Sequence, residues 1–292
     1  MKKVALLTLI STVALASCNM NRTPAAPTGQ LAYGLSSDGK QLVTFGMDNA
    51  DASYVKQSIT GLGTDTLVDL DVRNTDGMLY GFASSGRVYL INPGTGSATA
   101  DASVTGTTLV AADFNPQANR LRVIGANDAN FRLTLNAAPV PGTAGTQTND
   151  GMFSYAAADR NAGTNPDLVA AAYTNSFNDS ATQAYSAATP TTLYTLDAAT
   201  DSLVKHENNT TATPPLPTGN FSSLQTVGAL GVNVMVGMTG FDIAKASDAY
   251  LSSVSGNDTN LYTVDLSSGK ATMKGKLSGV KLSSLALKLA AQ

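Results

Sequence analysis

The feature that most constrains the fold is a segment that recurs after 42 residues. Leu67-Val-Asp-Leu-Asp71-Val-Arg-Asn-Thr-Asp-Gly-Met-Leu79-Tyr80 aligns without a gap on Leu109-Val-Ala-Ala-Asp113-Phe-Asn-Pro-Gln-Ala-Asn-Arg-Leu121-Arg122. In each copy an apolar strand ends in an acid, a turn follows, and a second strand starts eight residues beyond the acid. A second unit also recurs, as Val88 to Asn92, Leu193 to Asp197 and Leu261 to Asp265. It reads apolar-Tyr-x-apolar-Asp/Asn and runs into a turn. Several short strands in a period near 40 residues are the pattern of a propeller blade, a unit that buries its faces only against neighbours.

The intervening segments fit an all-β chain. Short apolar runs at Leu31 to Leu35, Gln41 to Phe45, Met78 to Phe82, Arg87 to Ile91, Leu193 to Leu196 and Leu261 to Leu266 are separated by Ser37-Asp38-Gly39, Thr75-Asp76-Gly77, Ser84-Ser85-Gly86, Pro93-Gly94-Thr95-Gly96 and Ser268-Gly269. In such turns Gly supplies positive φ, and Asp or Ser bonds back to the backbone. The strands group into blades at about 64–105, 107–148, 150–215 and 220–279, with three strands between Leu31 and Thr60. Val280 to Leu289 matches Leu67 to Val72, so its pairing with the N-terminal strands completes a fifth blade and closes the ring without free edges. Five blades over residues 31–289 give about 52 residues each, above the usual ~40–45, and six blades remain the alternative. Loops at 136–150 and 207–220 absorb the excess.

The first eighteen residues bear on location. Lys2 and Lys3 precede a short apolar run, and Leu15-Ala16-Ser17-Cys18 closes it with small residues before the only cysteine. This is the pattern of a secretory signal peptide, too short to span a bilayer stably, and the Leu-Ala-Ser-Cys ending resembles the lipobox of bacterial lipoproteins. The resemblance implies cleavage after residue 17 and acylation of Cys18. Residues 18–30, polar and proline-bearing, then read as a flexible tether to a single domain at 31–289. The expected location is the cell envelope, on the periplasmic side of the inner membrane or on the outer membrane.

Composition narrows the partners. Removing the leader takes two of the 18 basic residues against 21 acidic ones, so the net charge moves from −3 to −5. That argues against a nucleic-acid partner, which needs a basic footprint. A membrane contact is expected through the lipid, and an envelope protein or a glycan is the expected further partner. With no Trp and one His, aromatic clamps and histidine-based metal sites are not expected. No nucleophile elbow, Walker loop or dinucleotide fingerprint occurs, and no cofactor is expected.

Asp113-Phe-Asn-Pro116 with Asn119-Arg-Leu-Arg-Val123, Asn130-Phe-Arg-Leu133, Tyr155-Ala-Ala-Ala-Asp159, Asn161-Ala-Gly163, Ala170-Ala-Ala-Tyr-Thr-Asn175, Val227-Gly-Ala-Leu-Gly-Val232 and Gly240-Phe-Asp-Ile243 together resemble the domain-of-unknown-function 4394 family of bacterial exported proteins. The resemblance covers nearly all of residues 31–280. It implies a propeller-like β fold and no particular activity. Asn119 stands where the family often has an acid, which leaves charge pairing at that turn open.

Candidate chemistry lies in three groups. Asp69 and Asp71, two apart on one strand, face the same side; such a pair suits Ca²⁺ or glycosidase acid–base work, or else caps an inner strand or faces a solvated channel. Asp113 and Asp242 follow apolar runs at related places and fit backbone-bonding roles. Arg120, Arg122 and Arg132 with Asn130 and Asp113 form the densest polar cluster and the candidate ligand site, because converging arginines recognise carboxylates or phosphates. Their alternative is cross-strand pairing with Asp113 or Asp128. Asp159, Asn161 and Asn175 are candidate oxygen ligands for a metal, and His206 reads as a solvated turn residue. The overall expectation is a lipid-anchored, non-enzymatic binding or scaffold propeller, with a glycan hydrolase acting through a carboxylate pair in the central funnel as its rival.

Overall fold

The computed structural model describes residues 23–183, 185 and 190–291; Cys18 and the leader lie outside them. Blade I begins with β1 (Leu31–Ser36), β2 (Gln41–Gly46), a single helical turn α1 (Ala50–Ser53) and β3 (Val55–Ser58). Blade II holds β4 (Leu67–Val72), β5 (Leu79–Ala83), β6 (Arg87–Ile91) and β7 (Ala98–Ser103). Blade III holds β8 (Leu109–Asn115), β9 (Arg120–Gly125), β10 (Ala129–Leu133) and β11 (Gln147–Met152). Blade IV takes β12 (Ser154–Tyr155), β13 (Leu168–Tyr173), β14 (Leu193–Asp197), β15 (Ser202–Glu207) and β16 (Ser223–Ala229). Blade V takes β17 (Thr239–Ala244), β18 (Asp248–Ser255), β19 (Asp258–Val264) and β20 (Ala271–Leu277), and β21 (Leu282–Leu287) ends the chain's strands.

The five sheets form the ring of a five-bladed β-propeller. β21 pairs antiparallel with β1, so blade I reads β21-β1-β2-β3 and the chain ends close the ring. The innermost strands β21, β4, β8, β13 and β17 neighbour one another around the axis. Each lies between two adjacent blades, and this explains its sequence. Sandwiched strands need apolar or small residues on both faces, and β13, β17 and β21 are buried at every position.

The core is accordingly divided among the blade interfaces. Phe82, Val88, Phe114 and Leu121 pack blade II on blade III, while Ile124, Tyr173 and Leu224 join blade III to blade IV. Leu196, Leu203, Phe241 and Leu251 join blade IV to blade V, and Leu282, Leu285, Leu70 and Leu261 link blade I to blades II and V.

The structure moves one expected boundary. The blade placed at 150–215 runs to Ala229, because β16 is the fourth strand of blade IV and not the first of the next. The Pro-rich loop 207–220 therefore sits inside a blade. β12 adds a parallel fifth strand at the outer edge through Ser154 and Tyr155. The recurring Tyr-containing strand is third in blades II and V (β6, β19) but second in blade IV (β14).

The segment read as a free tether is partly attached. Ala25 N–H donates to Ala52 O, Thr28 N–H to Asn49 Oδ1, and Met47 N–H to Gln30 O, which lays residues 25–30 along blade I. A Cβ on Gly46 would meet the backbone of Thr28 at 2.4 Å, so only glycine admits this contact.

Candidate functional site

Two polar assemblies stand out, one on the axis and one on the face of blade III. On the axis, Asp69 and Asp71 of β4 both reach across to β8, as their spacing on one strand predicts. Asp69 Oδ2 accepts Ala112 N–H at 2.9 Å and Asp71 Oδ2 accepts Phe114 N–H at 2.7 Å. Asp113 Oδ1 accepts Tyr173 N–H of β13 at 3.1 Å, and Asp242 Oδ2 accepts Leu287 N–H of β21 at 2.6 Å. Ser284 completes the set by accepting Leu70 N–H and donating to Asp69 Oδ1. Each side chain thus joins the inner strand of its own blade to the inner strand of the next.

The pairing registers reveal two ranks around the ring. Asp71, Asp113, Ala172, Asp242 and Ala286 occupy equivalent places, opposite Tyr80, Arg122, Tyr194, Tyr250 and Tyr33 on their second strands. Asp69, Ala111, Ala170, Gly240 and Ser284 form the other rank. At Gly240 a Cβ would stand 2.2 Å from Leu285 N, so the next blade leaves no room for a side chain.

One oxygen from each of Asp71, Asp113 and Asp242 lies within 4.8 Å of the other two, and all three residues are buried. This all-oxygen set has the donor chemistry of a hard cation such as Ca²⁺. With protein atoms alone around them, burial pushes Asp69 up to about 7 and Asp242 up to about 8. Burial raises Asp71 and Asp113 well above the usual carboxylate range too, and the neighbouring carboxylates add to it by repulsion.

The second assembly is the candidate arginine cluster. β9 places Arg120 and Arg122 on one face, β10 adds Asn130 and Arg132, and β11 adds Thr148 and Asp150, because these positions alternate in paired strands. The face looks toward blade IV. Arg122 is fully enclosed: Nε donates to Tyr173 Oη, Nη1 to Asn130 Oδ1 at 2.6 Å and Asp150 Oδ2 at 2.7 Å, and Nη2 to Gly219 O. Phe221 covers its guanidinium plane at 5.5 Å. Arg132 grips both oxygens of Asp150, through Nε at 2.6 Å and Nη2 at 2.7 Å.

Asp150 is thus the partner of these arginines, in place of the expected Asp113 or Asp128. Asp113 lies opposite Arg122 in register, yet its carboxylate is engaged on the axis. Arg120 extends over β10 to Arg132 O and Thr148 Oγ1. Asn119, at the left-handed φ of 49° that Asn tolerates, accepts hydrogen bonds from Arg73 Nε and Thr75 Oγ1.

The remaining sequence-derived candidates are not gathered in one place. Asp159 and Asn161 both bond Thr226 of β16. Asn175 lies beyond the other end of β13, with its N–H on Ala246 O. His206 is buried on β15, not in a solvated turn. Its ring nitrogens lie 2.8 Å from Thr195 Oγ1 and Phe221 O, and burial pushes it down to about 3.

Sequence reasoning passed over Arg73, Asp150 and Arg122's special place. The signal for the last was available: Tyr33, Tyr80, Tyr194 and Tyr250 each follow an apolar or small residue near the start of a strand, and Arg122 follows Leu121 in the same way.

Fold and axis together define a five-bladed propeller whose inner strands are tied by carboxylates to adjacent backbones. Within that class, the chain belongs to the family described as Domain of unknown function (DUF4394), which matches residues 41–286. The fold resembles that of a structural genomics protein of unknown function from Bacteroides thetaiotaomicron. That likeness has 12% identity and a TM-score of 0.52, and covers 91% of this chain and 66% of the other. More distant likenesses are to a chain of a nidogen/laminin complex (9% identity, TM-score 0.46, 90% and 99% covered) and to the beta-propeller domain of Cps50 (Swd1) from Myceliophteria thermophila (10%, 0.38, 88% and 74%). No curated protein sequence gives a match.

Proposed function

We propose that this protein is a lipid-anchored β-propeller of the cell envelope that binds another envelope component and performs no chemistry of its own. The observation that supports this reading is the employment of the axial carboxylates. A glycosidase needs two carboxyl groups that flank a sugar, one as acid and one as base or nucleophile. Asp69, Asp71, Asp113 and Asp242 are instead buried and accept backbone N–H groups of the next blade. Their arrangement serves cohesion of the ring, and a pyranose reaches them only if the blades part.

The anchor rests on the sequence: basic Lys2 and Lys3, the apolar run, and Leu15-Ala-Ser-Cys18. Two acyl chains suffice for durable attachment, at roughly 0.8 kcal/mol per buried CH₂. With residues 25–30 laid along blade I, the propeller is held near the bilayer by only the few residues between Cys18 and Ala25.

The test combines location with chemistry. The chain should incorporate labelled palmitate and sediment with membranes, and Cys18→Ala should lose both. Incubation with envelope glycans should release no new reducing ends. Membrane retention of Cys18→Ala would remove the anchor, and release abolished by Asp71→Asn would replace binding with hydrolysis.

A further inference from the structure

Blade III departs from the other four at one place. Where Tyr80, Tyr194, Tyr250 and Tyr33 stand opposite the axial rank, it carries Arg122. Two more guanidinium groups accompany it, and the three share a single carboxylate. Arg122 and Arg132 both bond Asp150, while the charged groups close to Arg120 are Arg132, Asp150 and Arg122. In a chain whose formal net charge is −3, this face keeps two positive charges without a counter-charge among the described residues.

The donors point to where the counter-charge belongs. Arg120 Nε is buried and has no acceptor, which among the described residues makes it the one buried side-chain nitrogen or oxygen left unpaired. Arg132 spends Nε and Nη2 on Asp150, and its Nη1 has no acceptor among the described residues. That Nη1 lies beside Gly219, where a Cβ would come within 2.9 Å of it. Arg132 is partly exposed, with 15% of its side chain accessible, whereas Arg122 is wholly enclosed. Arg122 and Asp150 therefore form a buried base, with the partly exposed Arg132 and the half-buried Arg120 beside it. Burial, and after it the like charge of Arg132, lowers the Arg120 pKa.

From this geometry we infer that Arg120 and Arg132, beside Gly219, form a binding site for a doubly charged tetrahedral oxyanion of the phosphate-monoester class. With Arg120 Nη2 on Arg132 O, Thr146 O and Thr148 Oγ1, and Arg132 Nε and Nη2 on Asp150, the donors left are Arg120 Nε and Nη1 and Arg132 Nη1. Guanidinium N–H groups are the donors that phosphate oxygens accept. A phosphate monoester carries close to two negative charges at neutral pH, which matches the excess; a lone carboxylate supplies half of it. The inference rests on the reading of this propeller as a binding protein, and it gives the chemical class of the ligand.

The experiment titrates the purified chain with inorganic phosphate at constant ionic strength, following thermal unfolding and the Arg120 Nε–H resonance. Phosphate should raise the unfolding temperature saturably and shift that resonance, and acetate at the same ionic strength should do neither. Arg120→Gln should weaken phosphate binding about tenfold or more, with Arg120→Lys between it and the parent. Arg160→Gln, on exposed Arg160 beside β16, should leave binding unchanged. No saturable response, an equal response to acetate, or an undiminished response in Arg120→Gln would overturn the inference. If a variant fails to fold, the resonance shift in the parent chain still decides. Vesicles containing phosphatidic acid distinguish the source: recruitment of the Cys18→Ala chain points to a lipid headgroup, and phosphate binding without recruitment to a soluble phosphate ester. Membrane retention through Cys18 is read separately, so failure here leaves the anchoring test intact.

Discussion

Arg122 lies opposite Asp113 in the pairing of β8 with β9, just as Tyr80 lies opposite Asp71 one blade earlier. The two residues face the same interface yet do not pair. Asp113 binds the backbone of blade IV, and Arg122 takes Asp150 at 2.7 Å. The buried charge of Arg122 is therefore compensated from within blade III.

Asp150→Asn removes that compensation. Breaking one side of a buried ion pair costs about 3–5 kcal/mol, since the remaining charge stays desolvated, and here two arginines lose their carboxylate. Urea unfolding should show a loss in that range with an unchanged slope. A loss below about 1 kcal/mol would mean that other acceptors carry the arginines.

Gly240 tests how closely the inner strands approach. Gly240→Ala places a methyl group 2.2 Å from Leu285 N and 2.5 Å from Ser284 C, both backbone atoms of the closing strand. No side-chain rotation relieves this, so the ring must open slightly at β17 and β21. The expected cost is about 2–3 kcal/mol, read as a lower urea midpoint. An unchanged midpoint would contradict the tight axis.

His206 supplies a simple spectroscopic check, because it is the only histidine. Its burial holds it neutral, pushed down to about 3. Its ring resonances should stay constant between about pH 5 and 8, where a free histidine titrates. A midpoint near 6.5 would place the ring in solvent. The sign of its effect on stability follows: the unfolded chain takes up the proton first, so this residue costs stability only as pH falls below the unfolded value.

Much of the ring was legible in the sequence. The 42-residue offset between Asp71 and Asp113 is a real equivalence, since Val72 pairs with Leu79 and Phe114 with Leu121 in matching registers. The match of the last strand to Leu67–Val72 foretold closure because both are inner strands, buried on two faces. The end of blade IV was not legible. Its Pro-rich loop 207–220 looks like a linker, and only tertiary pairing shows that β16 returns to β15. Asp150 was missed because it stands on an outer strand 28 residues from Arg122, in a polar run without a periodic signal. His206 misled through its neighbours Lys205 and Glu207, which face solvent on the strand that buries it. Alternation on a half-buried strand mimics a polar turn.

The central claim is that the axial carboxylates hold the blades together in a buried, proton-retaining state, and the most direct test is unfolding free energy against pH. Asp69 and Asp242, at about 7 and 8, keep their protons in the folded chain well above the pH at which the unfolded chain loses them. Stability from these groups is greatest at low pH and falls as pH rises toward those values. Just above about pH 6.5 the unfolded chain still releases the His206 proton, which adds a small rise of the opposite sign, so a net fall belongs to the carboxyls. With EDTA present to exclude bound cations, urea unfolding should lose on the order of 2 kcal/mol between pH 6.5 and 8. Asp242→Asn should be less stable at the lower pH and show a flatter profile. A parent profile that is flat or rises over this interval would contradict the account.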